Sequence, residues 1–146
     1  MSSEPVTPVA PATTCPCGSP ALYAACCERY LRGPEHLLAP TAEALMRSRY
    51  SAYVARDAAY LLATWHASSR PGRLDFPAGL RWLGLTVVRH EQSDADHAVV
   101  EFVAHSEVRR PGLRQPQPDT HAQIMHEVSR FVREANHWFY LDGAVS

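Results

Sequence analysis

All four cysteines of this chain lie between residues 15 and 27, and this clustering predicts a metal site. Cys15 and Cys17 form one pair, and Cys26 and Cys27 are adjacent to each other. A tetrahedral zinc ion needs four thiolate or imidazole ligands that converge on one point. Ligands this close in sequence can reach the ion without a large fold.

Three alternatives to zinc could also account for the cysteines. Small secreted domains use disulfides, but the amino terminus has no basic start and no apolar run of signal-peptide length, which favours the reducing cytoplasm. An iron–sulfur cluster also takes four thiolates, usually at wider spacings. Four unrelated buried thiols would not be expected in one window. We therefore rank zinc first.

The segment Cys15-Pro16-Cys17-Gly18-Ser19, with Tyr23 and the pair Cys26-Cys27, resembles the SEC-C motif, a short zinc-binding element. The resemblance implies that the four cysteines bind one structural Zn²⁺, and that Gly18 and Ser19 turn the backbone so that amides face the sulfurs. The loop between the cysteine pairs has no charged residue, which weakens any inference of docking to an acidic partner.

Composition excludes two broad classes of function. The chain of 146 residues is 46% hydrophobic and 20% charged, as is typical of a globular protein, and it has no apolar run long enough to span a membrane. A net charge of −1 provides no long-range attraction for nucleic acid, so we do not expect nucleic acid to be the main partner.

The pattern along the chain divides it into three parts. Residues 1–14 are rich in Pro, Ala, Thr and Ser and predict a disordered leader. Residues 15–33 form the cysteine element, which we expect to end in a short helix from Cys26 to Leu31. Residues 41–146 form the main domain, which begins with a helix from Ala42 to Arg56 capped by Thr41. A second helix, residues 58–64, should follow with Asp57 as its cap.

Four strands are predicted after the helices, at residues 82–91, 97–109, 120–133 and 137–142, and none of them contains proline. If Ala135-Asn136 is a two-residue turn, the last two strands can be paired by hand. This pairing places Arg133 opposite Trp138, Val132 opposite Phe139, Phe131 opposite Tyr140 and Ser129 opposite Asp142.

Two helices followed by an antiparallel meander predict an α+β fold in which helices cover one face of a curved four-stranded sheet. This order resembles the cone-shaped nuclear transport factor 2-like fold, whose helices and bent sheet enclose a pocket. Taken together, several segments are similar to the YchJ-type family of bacterial proteins. They are Met46-Arg47-Ser48-Arg49-Tyr50, Tyr60-Leu61, Thr64-Trp65-His66, Trp82-Leu83-Gly84-Leu85, Glu127-Val128-Ser129-Arg130-Phe131 and Trp138-Phe139-Tyr140-Leu141-Asp142-Gly143.

The resemblance implies a fold and a metal site but no particular reaction, so function has to be inferred from the pocket. Our hand pairing places several aromatic and carboxylate side chains on one face of the last hairpin. This composition is typical of a small-molecule site, but on composition alone an ordinary half-buried sheet face is the more common explanation. The residues are Glu127, Ser129, Phe131, Trp138, Tyr140 and Asp142.

Three further residues are candidates for the pocket: Trp65, His66 and Arg47. Trp65 and His66 lie at the predicted end of the second helix, where His66 could act as a general base beside Asp142 or Glu127, or simply bond to backbone carbonyls. Arg47 and Arg49 cannot both point inward from one helix, because adjacent helical positions diverge by about 100°. We expect Arg47 to enter the pocket as a partner for a carboxylate.

Three functions remain open on the sequence alone. The first is a non-catalytic, cytoplasmic accessory protein that binds a small molecule or a partner, with a zinc ion that has four protein ligands and no open position. The second is a small lyase, isomerase or hydrolase that uses His66 with Asp142 or Glu127. The third is an adaptor that docks a protein partner through Leu22 and Tyr23 of the cysteine loop.

Overall fold

The computed structural model describes residues 13–108 and 121–146. A 3₁₀ helix at Tyr23–Ala25 lies within the cysteine element, which ends in helix α1, Glu28–Leu31. Helices α2, Ala42–Ala55, and α3, Ala58–Ala63, come next. Strands β1 Leu80–Asp94, β2 His97–Val108, β3 His121–Glu134 and β4 His137–Val145 complete the chain.

The last two residues of the predicted leader, Thr13 and Thr14, pair with the cysteine loop. Most of the predicted leader lies outside the described residues, but its last two residues do not. Thr14 forms an antiparallel bridge with Leu22, and the Tyr23 amide donates to the Thr13 carbonyl at 2.8 Å. The prediction of disorder through residue 14 is therefore wrong at its end, because these two residues pair with the cysteine loop.

Side-chain caps define both long helices as predicted. The Thr41 hydroxyl accepts a hydrogen bond from the Ala44 amide at 3.0 Å, which starts α2. Arg56, with a φ of 57°, ends α2 in the left-handed conformation. The Asp57 carboxylate then accepts from the Tyr60 amide at 3.1 Å and starts α3. The sharp bend between the two helices follows from this immediate restart.

The four strands form one antiparallel sheet in the order β1-β2-β3-β4. In β1, register shifts between Trp82 and Gly84 and between Val87 and Arg89 mark bulges, which bend a strand and increase its twist. The sheet packs against α2, and α2 contacts α3. This arrangement confirms the predicted α+β architecture.

The last hairpin has the predicted turn but only part of the predicted register. Ala135 and Asn136 both have positive φ values, 50° and 65°, as a two-residue type I′ turn requires. The three pairs nearest the turn are confirmed, from Arg133 with Trp138 to Phe131 with Tyr140.

A bulge beyond those pairs changes the register. Arg130 pairs with Asp142 while Phe131 pairs with Tyr140, so Leu141 is an extra residue in β4. Ser129 therefore lies opposite Gly143. The predicted pairing of Ser129 with Asp142 is wrong, because the extra residue shifts the rest of the strand by one position.

The cysteine element and the main domain share one hydrophobic core. Cys17 and Tyr23 are completely buried, and they belong to the same cluster of buried side chains as Leu45 of α2 and Val100 of β2. The cysteine element is therefore packed against the domain. Within the described residues, no helix is both long and apolar enough to cross a membrane.

Candidate functional site: a cysteine cluster and a cavity

The four cysteine sulfurs converge as a tetrahedral metal site requires. The Sγ atoms of Cys15, Cys17, Cys26 and Cys27 all lie within 4.8 Å of one another, and those of Cys17 and Cys26 are 3.7 Å apart. Ligands at the usual zinc–sulfur distance on the corners of a tetrahedron are about 3.8 Å apart. All four thiols are free, and three are buried. The cluster can hold a metal ion.

The local backbone explains how the thiols meet. Gly18 has a φ of 90°, a conformation that suits glycine, and its amide donates to the Cys15 carbonyl at 3.2 Å to close a tight turn. A Cβ at Gly18 would lie 3.1 Å from the Leu85 carbonyl of β1, so the turn also lies tightly against the sheet. Cys27 begins α1, and its carbonyl accepts from the Tyr30 amide at 3.0 Å.

The electrostatics of the cluster favour a bound cation. Hydrogen bonding with Cys17 and Cys27 lowers the pKa of the Cys15 thiol, whereas hydrogen bonding with Cys15 raises the pKa of Cys17 to about 11. The same contact with Cys15 raises the pKa of Cys27 well above its usual range. Thiols this close cannot all ionise together without a positive charge between them. Metal binding must therefore release protons.

Helix α2 contacts two of the four cysteines directly. Arg47 donates from Nη1 to the Cys17 carbonyl at 2.9 Å, and the same nitrogen lies 4.0 Å from the Cys17 sulfur. The hydroxyl of Ser51, one turn further along, is 3.6 Å from the Cys15 sulfur. Arg47 also forms an ion pair with Glu43, with 3.0 Å between Nε and Oε2. These contacts attach the cluster to the main domain.

A second feature is a partly open cavity of about 230 Å³ between α2 and the sheet. Its wall is mostly apolar and aromatic, and two charged side chains, Arg49 and Glu127, reach it from opposite layers of the fold. The lining residues are Met46, Arg49, Tyr50, Tyr53, Trp82, Phe102, Ala104, Met125, Glu127, Ser129, Phe131 and Tyr140.

Arg49 is the buried cation of this cavity, with only 5% of its surface exposed. Its Nη1 donates to the Leu61 carbonyl at 2.8 Å and to the Thr64 hydroxyl at 2.7 Å, so it also joins α2 to the end of α3. The guanidinium carbon lies 4.5 Å from the ring centre of Tyr140 and 5.0 Å from that of Trp65. Burial lowers the pKa of Arg49, which shows that its charge is poorly solvated.

Glu127 is the anion of the cavity. Its Oε2 accepts a short hydrogen bond from the Ser129 hydroxyl and a longer one, 3.4 Å, from the Tyr140 hydroxyl. Burial, with a further contribution from the charge of Glu127, raises the pKa of Tyr140, so this hydroxyl stays protonated and can donate. A Cβ on Gly143 would lie 2.6 Å from the Glu127 Cδ atom, so the carboxylate occupies space that only glycine leaves open.

The structure brings some of the predicted pocket residues together and separates others. Ser129, Phe131, Tyr140 and Glu127 line the cavity. Trp65 does not line it but packs edge-on against Tyr140, with 5.0 Å between ring centres. This contact arises because the segment after α3 pairs with β4: the His66 amide donates to the Tyr140 carbonyl, and the Tyr140 amide donates to the Thr64 carbonyl, both at 2.8 Å.

Two predicted pocket residues lie elsewhere. Trp138 is buried with its ring 5.9 Å from the guanidinium of Arg133, and it does not line the cavity. Arg47 faces the cysteines, and Arg49 is the arginine that enters the cavity. The prediction that only one of the two points inward is confirmed. The choice of Arg47 is wrong, because its side of the helix is covered by the cysteine element.

The predicted acid–base group of His66, Asp142 and Glu127 is not assembled. His66 Nε2 bonds to Glu134 at 2.9 Å, and Nδ1 bonds to the Ser68 hydroxyl at 2.7 Å. Asp142 is opposite Arg130 because of the bulge in β4, and Arg130 donates to it from Nε at 2.6 Å. Only Glu127 lies in the cavity.

The helical wall of the cavity follows a residue spacing that is visible in the sequence. Met46, Arg49, Tyr50 and Tyr53 line it, and their spacing of three, four and seven residues marks one face of a helix. The periodicity of α2 could have identified these four positions. Tyr23 is completely buried, so of the two residues predicted to dock a partner only Leu22, 51% exposed, could contact one.

Comparisons with known proteins agree with both features. The family described as "YchJ, middle NTF2-like domain" matches residues 41–143, and the SEC-C motif matches residues 13–29. The chain belongs to the YchJ family. Its main domain has the nuclear transport factor 2-like fold, and its cysteine cluster forms part of a SEC-C motif.

Relatives from bacteria are similar over nearly the whole chain. A UPF0225 protein of Polaromonas sp. (strain JS666) is 51% identical and covers 91% of this chain and 94% of its own length. A UPF0225 protein of Bordetella bronchiseptica is 45% identical over 99% of both chains. The solution structure of a SEC-C motif containing protein from Rhodopseudomonas palustris is 31% identical, with a TM-score of 0.71 over 90% of this chain and 98% of that one.

Proposed function

We propose that this YchJ-family member is a non-catalytic protein that binds a small molecule in the cavity, with a structural zinc ion in the cysteine cluster. The observation that carries the proposal is the cavity itself. A concave, mostly apolar space with a few convergent polar groups is the usual form of a small-molecule site. Its volume of about 230 Å³ is below the range of pockets that hold drug-sized molecules, so the ligand is small.

Zinc is the metal that best suits the cluster. Four cysteine sulfurs within 4.8 Å of one another match the ligand set of a structural zinc site, and four protein ligands leave no open position for a substrate. A reducing cytoplasm, which the sequence favours, would keep all four thiols available as ligands. The metal therefore supplies stability, and the hydrogen bonds from Arg47 and the close contact with Ser51 orient the ligands from outside.

The composition of the cavity wall supports binding rather than catalysis. The lining contains no histidine and no cysteine among the described residues. His66, the predicted general base, bonds to Glu134, and Asp142 bonds to Arg130. The alternative of a pocket enzyme that uses His66 with Asp142 or Glu127 lacks the hydrogen-bonded geometry that proton transfer requires.

The test is a metabolite screen by thermal shift on the zinc-loaded protein and on Ala104→Phe, which fills the cavity from β2. Ala122→Phe is the matched control, because Ala122 is exposed on the neighbouring strand β3. We expect ligands to stabilise the wild type and Ala122→Phe but not Ala104→Phe. Equal stabilisation of all three proteins would show that the ligand binds outside the cavity. If no metabolite stabilises the wild type, the small-molecule proposal is refuted.

Metal analysis of the same preparation tests the second part of the proposal, the structural zinc ion. We expect one zinc per chain, retained on dialysis and lost together with folding of residues 15–31 when a chelator is added. Iron in place of zinc, or a stable metal-free cluster, would contradict it.

A further inference from the structure

The cavity contains one cation, Arg49, and one anion, Glu127, that form no direct ion pair with each other. No carboxylate among residues 13–108 and 121–146 lies within ion-pairing distance of Arg49, whose hydrogen bonds to Leu61 and Thr64 both come from Nη1 and go to uncharged acceptors. Glu127 likewise receives hydrogen bonds only from the hydroxyls of Ser129 and Tyr140 within the described part of the chain. A buried charge without an ionic partner is costly, and burial lowers the pKa of Arg49 accordingly.

Both charged groups retain the capacity to bind a ligand. The Nε and Nη2 donors of Arg49 bond to no carbonyl or carboxylate within the described residues, so one edge of the guanidinium is available to a carboxylate. The Tyr53 hydroxyl also interacts with Arg49, and it can donate to the same carboxylate. The aromatic rings of Tyr140 and Trp65, at 4.5 and 5.0 Å, hold the guanidinium plane in place. Both hydrogen bonds to Glu127 end on Oε2, which leaves Oε1 to accept from a ligand.

The charges of Arg49 and Glu127 indicate which class of ligand fits the cavity. A phosphate dianion would add two negative charges beside Glu127, and a simple carboxylic acid would leave Glu127 without a counter-charge. A zwitterion pairs with both groups and leaves the site neutral. The rest of the wall, which includes Met46, Phe102 and Phe131, offers an apolar surface for a short side chain.

Resting on the small-molecule function proposed above, we propose that the cavity binds a small zwitterion of the α-amino-acid class with an apolar side chain. Its carboxylate binds the free edge of Arg49, and its ammonium group binds Oε1 of Glu127. The side chain packs against the aromatic and methionine side chains of the wall.

The test compares whole ligands with their halves on the zinc-loaded wild-type chain. Valine, leucine, methionine and phenylalanine are titrated first, by calorimetry and by thermal shift. For leucine the halves are 4-methylpentanoate, which lacks the ammonium group, and 3-methylbutylamine, which lacks the carboxylate. We expect at least one amino acid to bind and each of its halves to bind at least tenfold more weakly, a difference of about 1.4 kcal/mol.

Two variants test which side chain binds the ammonium group of the ligand and which binds its carboxylate. Glu127→Gln should weaken binding of the amino acid at least tenfold and should not weaken binding of 4-methylpentanoate, whereas the matched control Glu134→Gln, at an exposed residue, should change neither. Arg49→Met should abolish both, with Arg130→Met as the control at an exposed arginine. Because Arg49 also bonds to Leu61 and Thr64, its variant is checked for folding, and the comparison of half-ligands does not depend on it.

The outcomes separate this inference from the proposed function. If a half-ligand binds within threefold of the whole amino acid, or if Glu127→Gln leaves amino-acid affinity unchanged, the zwitterion proposal is overturned. If no amino acid binds but another metabolite does, and Ala104→Phe abolishes that binding, the zwitterion proposal fails while the small-molecule function stands. If nothing binds, both fail.

Discussion

Arg47→Met should loosen the cysteine element from the main domain while leaving the cavity wall in place. The Arg47 side chain is 27% exposed; it donates to the buried Cys17 carbonyl at 2.9 Å and pairs with Glu43 at 3.0 Å. A hydrogen bond from a charged donor contributes about 1.5–3 kcal/mol, and a helical ion pair four residues apart contributes about 0.3–0.5 kcal/mol. Methionine keeps the aliphatic part of the side chain. Because partial exposure weakens both interactions, we expect a loss of about 2 kcal/mol.

Urea unfolding of the zinc-loaded protein measures this loss, and hydrogen exchange locates it. The amides of Gly18 and Cys26, which donate to carbonyls within the cysteine element, should exchange faster in the variant. Amides of β2 should exchange at a rate changed only by the global loss of stability. The control is Arg130→Met, which removes an exposed pair with Asp142 and should cost less than about 1 kcal/mol. If the two variants lose equal stability, or if Gly18 exchange is unchanged, the Arg47 contact does not hold the element in place.

Three further predictions concern the metal, the cavity and the buried tyrosines. Zinc affinity, measured by competition with a chelator, should fall as pH falls because binding displaces thiol protons; a pH-independent affinity would contradict thiolate ligation. Gly143→Ala should push Glu127 away from Ser129 and cost roughly 1–3 kcal/mol in denaturant unfolding, whereas Gly84→Ala, whose Cβ would meet nothing within 4 Å, should cost nothing. Burial raises the pKa of Tyr50 to about 12, so the unfolded chain loses this proton first as pH rises above about 10. Stability should then fall by about 1.4 kcal/mol per pH unit up to pH 12, and unfolding curves of Tyr50→Phe should lack this part of the slope.

The local features of the fold could be predicted from the sequence because each depends on a few neighbouring residues. Thr41 and Asp57 cap their helices as expected, and Ala135-Asn136 forms the expected turn. The bulge at Leu141 could not be predicted, because neither the spacing of apolar residues nor a glycine marks it. Its consequence is large: one extra residue moves Asp142 out of line with Ser129 and into contact with Arg130.

The candidate site was only partly predictable for a different reason. The metal site can be recognised from the spacing of the cysteines alone. The lining of the cavity, in contrast, depends on which side of α2 each packing partner covers. The sequence shows that Arg47 and Arg49 diverge, but only the position of the cysteine element decides which one enters the cavity. The hydrogen-bond partner of His66 could not be predicted either, because Glu134 lies 68 residues away at the end of β3.

Helix α2 connects the two features of this protein, because it contributes to both. One side presents Arg47 and Ser51, four residues apart, to Cys17 and Cys15. Another side lines the cavity with four residues, including Arg49. A metal ion bound by the four cysteines would keep α2 from rotating or sliding through the contacts of Arg47 and Ser51, and would thereby fix the direction in which the buried Arg49 guanidinium points. Such a metal, with four protein ligands, would not touch a molecule bound in the cavity, yet it would raise the affinity for that molecule, because a wall that is already in position loses less entropy on binding.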